Sequence, residues 1–569
     1  MTLAPVALVA LVVAVTALLA LPLFWLTRNP RAAAPSGDAA PPERPVRVVI
    51  IGGGFGGVHV AAELERLAGD RDDLEICLFS DENYFVFQPM LPEVISGQLQ
   101  PLDVVSPLRR LLARTRVHVR AVESVDLAAR TVTAAAGMGG HPHVVHYDHV
   151  ILAPGTVTDF RGLTGLPEHA LPFKNLADAL RLRNHVIHAL EEADVEDDDE
   201  DLRRALLTFV VAGGGFSGVE VCAELNDFVR EVARHYPRID PSEIRVLLVH
   251  SQERILPEMS ARLAAYAQRI LQQRGVELVL GQRLKAATGE HAVLADGTRI
   301  PTRTLVSTVP SSPHPLVERL ALPKSRAGRL LVDGTLRVRG HEAVWALGDC
   351  AEVPTLDGKS SPPTAQHPVR QARTCARNVF AALRGEAPAP FDFRGLGKMG
   401  SLGRRNAVAE IFGVQLSGAL AWFLWRTIYL MKLPGWGRRA KVAASWTFDL
   451  VLPPELVQLR LESIGGARTE HFEAGEHVFE MGDVGDRVYV ILRGAAEVVR
   501  DGVVLARLGP SDVFGEMAVL GQTTRNATVR CTEATDAMSI PRREVALLTA
   551  SLPDVRRRFE ELASSCQAA

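Results

Sequence analysis

The chain has 569 residues, a length that suits about three to four domains. Its 47% apolar and 23% charged residues exclude wholesale disorder and a collagen-like repeat. A formal net charge of -3 gives no electrostatic argument for nucleic acid, and none is expected as a partner. The six cysteines (Cys77, Cys222, Cys350, Cys375, Cys531 and Cys566) include no C-x-x-C or C-x-x-x-x-C pair. Disulfide scaffolds, iron–sulfur ligation, zinc ribbons and redox dithiols are therefore set aside, and a reduced, cytosol-facing compartment is expected.

Residues 1–27 are predicted to form a transmembrane helix. Met1 to Leu26 carries no charged side chain. A helix of that length reaches roughly 39 Å, more than the ~30 Å hydrocarbon core. Phe24 and Trp25 fall at the interface, and Arg28 and Arg31 follow. Positive charge on that flank predicts an outside N-terminus, with the rest of the chain on the cytoplasmic side of the cell (inner) membrane. A signal peptide cleaved near Ala32-Ala33-Ala34 is the rival, but it would lack a basic start and carry too long an apolar run. Residues 28–45, rich in Pro and Ala, read as a linker.

Val46 to Ile51 is a β-branched run that enters Gly52-Gly53-Gly54-Phe55-Gly56-Gly57 and then a helical stretch. The spacing is G-x-G-x-x-G, between strand and helix, where a dinucleotide pyrophosphate meets the helix N-terminus. The next strand, Leu74 to Phe79, ends at Ser80 with Asp81 following. Tyr147 to Leu152 leads into Ala153-Pro154-Gly155. The acidic run Glu191 to Asp201 reads as a solvated loop. Leu207 to Ala212 then enters a second glycine loop, Gly213-Gly214-Gly215-Phe216-Ser217-Gly218. Two such units predict two dinucleotide sites, or one site and a decayed copy; a flavin and a nicotinamide are the economical pair. The strand Ile244 to Val249 ends at His250, without the acid that usually takes the adenosine ribose. Val344 to Leu347 runs into Gly348-Asp349.

On these residues the chain resembles the two-dinucleotide-domain flavoproteins, in which such a Gly-Asp places its carboxylate on the flavin ribityl chain. Within them it resembles the type II (non-pumping) NADH:quinone oxidoreductases over roughly residues 45–455. The specific pieces are Asn83-Tyr84 with Phe87-Gln88-Pro89-Met90-Leu91, and the runs 166–185 and 207–225. Arg254-Ile255-Leu256-Pro257, Pro363-Thr364-Ala365-Gln366 and the run 420–439 complete the match. The resemblance implies FAD at Gly52, Gly54, Gly57, Ala153, Gly155 and Asp349, and NADH at Gly213, Gly215 and Gly218. Glu220 would lie beside the nicotinamide. Gln366 and Gln371 match part of a quinone motif, A-Q-x-A-x-Q-Q, in which Pro368 and Arg370 replace Ala and Gln. Glu220, Gln366 and Gln371 are the expected catalytic set. His250 leaves NADPH not excluded.

The expected layout is a FAD-binding domain in two parts, 46–205 and 311–388, around a NAD(P)H-binding domain, 206–310. A membrane-contacting region, 389–455, follows. There Trp422, Trp425, Tyr429 and Trp436 interleave with Arg426, Lys432, Arg438, Arg439 and Lys441. Aromatic and basic residues together suit a lipid interface.

From about residue 468 short strands and turns take over, and 456–569 resembles a cyclic-nucleotide-binding β-roll. The stretch Phe514-Gly515-Glu516-Met517-Ala518, then Arg525-Asn526-Ala527-Thr528, carries the resemblance. It implies cAMP or cGMP at Gly515, Glu516, Ala518, Arg525 and Asn526, with Arg525 pairing to the cyclic phosphate. The α/β fold class is thus two Rossmann-like domains, an N-terminal membrane helix and a C-terminal β-roll. The function expected is a membrane-attached flavoenzyme passing a hydride from NADH to FAD and electrons to quinone, without proton pumping, under cyclic-nucleotide control. The alternative is a cyclic-nucleotide receptor whose flavoprotein half serves ferredoxin or another acceptor. Lipid and quinone are the expected partners, and a homodimer is left open.

Overall fold

The computed structural model describes residues 44–136, 141–158, 160, 163–308, 312–355, 360–362, 364–393, 395–449, 452, 455–458, 468–517, 524–542 and 544–545. The expected span 1–27, most of the linker, Ala518 and most of the C-terminal helical stretch lie outside the described residues. Among the described residues no helix is long and apolar enough to cross a membrane. The chain divides into two units, Met1–Val119 with Asp148–Leu459, and Arg120–Tyr147 with Arg460–Ala569.

The first unit begins with β1 (Val46–Ile51), α1 (Phe55–Ala68), β2 (Leu74–Ser80), β3 (Arg116–Val119) and β4 (His149–Leu152). It continues through β5 (Ala170–Pro172), α2 (Leu176–Val195), β6 (Thr208–Ala212), α3 (Phe216–Val232), β7 (Arg245–Val249), β8 (Val276–Val279) and β9 (Thr304–Ser307). Then come β10 (Val344–Ala346), α4 (Gln366–Leu383), β11 (Gly397–Ser401), β12 (Ala407–Ile411), β13 (Val414–Gly418), α5 (Ala419–Lys432) and α6 (Trp436–Asp449).

Two parallel five-stranded sheets organise this unit, in the orders β10-β4-β1-β2-β3 and β5-β9-β6-β7-β8. Their central strands read as unbroken apolar runs because both faces are covered. Val48, Val49 and Ile50 are buried, as are Phe209, Val210 and Val211. In each sheet the glycine loop leaves a central strand, and the loop's first N–H donates to the neighbouring strand's end. Gly52 N–H donates to Phe79 O at 2.8 Å, and Gly213 N–H to Val249 O at 2.9 Å. The two Rossmann-like halves are thus built alike down to this bond.

Three differences from the sequence reading have physical causes. The second sheet takes β5 from upstream of residue 206, because Ala170–Pro172 pairs in parallel with Leu305–Ser307. The acidic run is exposed but mostly helical. α2 runs to Val195, and Asp199 caps a short helix (Glu200–Leu206) by accepting the Leu202 N–H at 2.9 Å. Acids at a helix start are favoured by the dipole, so a charge run there need not be a loop. Third, the C-terminal region opens with an antiparallel sheet, β11-β12-β13, on which α5 packs.

The second unit holds two four-stranded antiparallel sheets. One pairs Arg468–Phe472, Thr535–Pro541, Arg487–Arg493 and Val513–Phe514. The other pairs His477–Phe479, Thr528–Cys531, Ala496–Arg500 and Val503–Leu508. Tyr489, Ile491, Ala496, Phe514, Val529 and Ala537 form its core. A three-stranded sheet, Val122–Asp126, Thr131–Ala134 and His143–His146, belongs to the same unit.

Candidate active site

The first glycine loop is shaped to admit a pyrophosphate. Gly52 stands at φ +113°, and a Cβ there would collide with the Ala153 carbonyl. A Cβ on Gly57 would strike the Gly52 carbonyl, which fixes α1 against β1. A Cβ on Gly54 would meet nothing within 4 Å, and the same holds for Gly155. Gly54 caps α1 without a side-chain bond, so helix N–H groups remain for an anion. Space at the second glycine with closure at the first and third is the cradle that a FAD pyrophosphate requires. Asp349 follows β10 in the turn Gly348–Cys350. Burial pushes its carboxyl up, while Lys174 and Arg329 oppose the shift. Ser80, at the end of β2, is buried against Gly53 and accepts the Glu82 N–H at 3.3 Å.

The second loop repeats this plan. Gly213 has φ +118°, a Cβ on Gly218 would strike the Gly213 carbonyl, and one on Gly215 would meet only Glu258 at 3.9 Å. The open second glycine again fits a dinucleotide. His250, at the expected ribose position, accepts the Gly214 N–H on Nδ1 at 3.0 Å. Its Nε2 is buried without a partner, and burial holds the ring's pKa below its ordinary value.

Glu220 sits in the first turns of α3. Its Oε1 accepts the Ser401 N–H at 3.0 Å, from the end of β11. Burial pushes its pKa up to about 8, with the Glu93 charge adding and the Ser401 N–H and Trp425 opposing. Trp425 and Tyr429 of α5 meet edge to face with ring centres 4.8 Å apart. Burial likewise raises the Tyr429 phenol. Of the expected interfacial aromatics, Trp425 is thus buried, whereas Trp436 is 70% exposed.

Gln366 and Gln371 both lie on α4, but their amides are committed to backbone. Gln366 accepts the Leu396 N–H at 3.0 Å and donates to Gly397 O at 3.2 Å. Gln371 is buried and accepts the Gly348 N–H at 2.9 Å, next to Asp349. One glutamine therefore holds the approach to β11, and the other holds the Gly-Asp turn.

Sequence reasoning missed a buried polar network behind Glu220. Glu224 accepts from Ser96 Oγ at 2.6 Å and Gln98 Nε2 at 2.8 Å. Gln98 Oε1 accepts from Arg426 Nη2 at 2.6 Å, and Glu93 Oε2 from Trp446 Nε1 at 2.6 Å. Arg426 stacks on Trp422 and Trp446, at 4.2 and 4.6 Å. Burial raises Glu224 well above the ordinary carboxyl range, and the Glu93 and Asp227 charges add to it. A signal was present: Glu220, Glu224, Asp227 and Glu231 recur at helical spacing along α3.

In the second unit Gly515 has φ +82° and Glu516 is buried. Arg525 donates to Gly515 O at 2.7 Å and Arg487 O at 2.8 Å, and it lies 3.9 Å over Phe479. Its Nε is buried without a partner, so the guanidinium keeps donors for an anion. Asn526 Nδ2 contacts Met517 Sδ at 3.3 Å. Among the described residues the five cysteines are buried and free, and no group of His, Cys, Asp and Glu could hold a metal.

Two dinucleotide cradles on parallel sheets, with an acid between the second cradle and a C-terminal helical region, define a two-nucleotide flavoprotein oxidoreductase. A family model described as pyridine nucleotide-disulphide oxidoreductase matches residues 46–372, and an NDH2 C-terminal domain matches 396–451. A cyclic nucleotide-binding domain matches 469–551. The type II NADH:quinone oxidoreductase Ndh of Mycobacterium tuberculosis is 33% identical over 424 residues, 72% of this chain and 89% of that protein. The demethylphylloquinone reductase NdbB of Synechocystis is 30% identical, over 70% of this chain and 95% of that protein. The solved NDH2 of Plasmodium falciparum in complex with NADH shares the fold at TM-score 0.68 and 19% identity, covering 73% of this chain and 100% of that one. The chain belongs to the pyridine nucleotide-disulphide oxidoreductases and, within them, to the type II NADH:quinone oxidoreductases.

Proposed function

We infer that the protein oxidises NADH with quinone as acceptor, through FAD, at a membrane surface and under the influence of its C-terminal sensor. The observation that carries the reading is the position of Glu220, between the second glycine loop, Ser401 and Trp425. That acid borders the nucleotide cradle on one side and the C-terminal region on the other.

When bound, FAD supplies the two-electron carrier between NADH and quinone. The Gly52–Gly57 loop would hold its pyrophosphate and Asp349 would accept from its ribityl hydroxyls. Gly213, Gly215 and Gly218 hold the NADH pyrophosphate. Gln371 keeps the Gly348 turn in place and Gln366 keeps the strand that presents Ser401. NADH brings one hydrogen as hydride, so quinol formation draws one further proton from solvent. Glu220 carries a proton below about pH 8 and is the group placed to hold it.

Membrane attachment is supported by the apolar run 1–27 and by Leu420, Met431, Trp436 and Phe448, exposed on α5 and α6 beside Arg438, Arg439 and Lys441. A cytoplasmic placement follows from Arg28 and Arg31. In the second unit, Glu516 would take a ribose hydroxyl and Arg525 the cyclic phosphate, with cAMP or cGMP as the effector.

The test is NADH oxidation by the detergent-purified full chain with a soluble quinone, with and without cAMP and cGMP. Quinone-dependent turnover that one nucleotide alters is expected. Turnover indifferent to both nucleotides would remove the regulatory reading, and no turnover would remove the enzymatic one.

A further inference from the structure

A cavity of about 330 Å³ opens beside the C-terminal helices, lined by Arg404, Arg405, Trp422, Arg426 and Asp449. Three guanidiniums and one carboxylate line it, and Glu231 and Glu93 behind the lining answer Arg404 and Arg426, which leaves Arg405 as the lining cation without an acidic partner among the described residues. Arg404 is answered by Asp449 and Glu231, each at 3.5 Å. Arg426 is answered by the Glu93 charge, with Asp449 and Glu224 adding to it. Its side chain is 8% exposed, Nη2 goes to Gln98, Glu93 stands 3.6 Å away, and Nε is buried without a partner. Arg405, at φ 60° in the turn between β11 and β12, makes no hydrogen bond or ion pair among the described residues.

We propose that this cavity is a phosphate-binding site that takes the headgroup of an anionic phospholipid. Guanidiniums match phosphate oxygens by paired hydrogen bonds. The cavity is larger than a bare small anion needs, and Trp422 supplies an amphipathic wall. Leu420, two residues before Trp422, and Phe448, next to Asp449, are each 63% exposed and offer apolar surface for the chains. The lipid source rests on the membrane attachment read above, whereas the phosphate chemistry stands without it and without NADH oxidation.

The test is calorimetric titration of the detergent-solubilised full chain with three probes below any micelle concentration: dihexanoyl phosphatidylglycerol, dihexanoyl phosphatidylcholine and inorganic phosphate. Arg405→Lys, Arg405→Gln and the equal charge loss Lys441→Gln on α6 are compared. The expected result is preference for phosphatidylglycerol, weakened about fivefold or more by Arg405→Lys although charge is kept, and little changed by Lys441→Gln. Inorganic phosphate binding with the same Arg405→Lys sensitivity, without lipid preference, supports the site and assigns it to a soluble phosphate. Equal effects of Arg405→Gln and Lys441→Gln, with Arg405→Lys like wild type, would reduce the effect to surface charge and overturn the proposal. Failure of all three probes to bind would also overturn it.

Discussion

Glu220 Oε1 accepts the backbone N–H of Ser401 at 3.0 Å, joining the helix after the second glycine loop to the strand that opens the C-terminal region. The same carboxyl is raised by burial from its ordinary 4.5 to about 8. The folded protein therefore binds more protons here than the unfolded chain between those two values. This contribution to stability is fully present below pH 4.5 and is lost as pH rises through 8. Glu220→Gln keeps the acceptor for Ser401 and removes the titration. Denaturant titrations from pH 5 to pH 9 should show the variant gaining on wild type as pH rises. The variant's kcat should also lose the wild-type inflection near pH 8. Parallel pH profiles for the two proteins would show that Glu220 does not titrate there.

The glycines separate folding from cofactor binding. Gly57→Ala drives a Cβ into the Gly52 carbonyl, so it should lower thermal stability and flavin content together. Gly54→Ala meets nothing within 4 Å, so the apoprotein should fold as wild type while purifying with much less flavin. The check is flavin absorbance per chain beside the apoprotein melting curve. Full flavin in Gly54→Ala would place the pyrophosphate elsewhere.

His250 directly follows β7, where a carboxylate would contact the ribose diol and repel a 2′-phosphate. His250→Asp can still accept the Gly214 N–H that Nδ1 takes at 3.0 Å. The ratio of kcat/KM for NADH over NADPH should rise by roughly tenfold, about 1.4 kcal/mol. An unchanged ratio would mean that the adenosine ribose lies away from this residue.

The network behind Glu220 couples distant segments, so its members should be non-additive. Arg426→Met leaves Gln98 and the Glu93 carboxylate facing an apolar group and should cost about 3–5 kcal/mol in denaturant titrations. Adding Glu93→Gln should restore a substantial part of that loss, because the uncompensated charge is removed. Additive losses would show that the two residues act separately.

The regular parts of this molecule were readable because their cause is local. Gly52 and Gly213 must adopt a positive φ next to a strand end, and that requirement leaves a glycine pattern within six residues. Gly348-Asp349 was readable through the family resemblance rather than through local geometry. The acidic run was misjudged because its first five residues are the end of α2 and Asp199 caps the short helix that takes up its last two. The quinone roles expected of Gln366 and Gln371 came from a motif match, and what no motif announces is their hydrogen bonds to the backbone at Leu396, Gly397 and Gly348. The network of Glu93, Gln98, Glu224, Arg426 and Trp446 spans more than 350 residues, and apart from Glu224 its members share no local spacing. Only its stripe along α3 was visible in advance.

The most direct test is an anaerobic sequence on the purified full chain. One equivalent of NADH is added while the flavin absorbance is followed, and then a soluble quinone is added. Bleaching by NADH followed by full recovery on quinone addition is the result expected of an NADH:quinone oxidoreductase. Bleaching that quinone leaves in place would contradict that activity and direct the electrons to another acceptor.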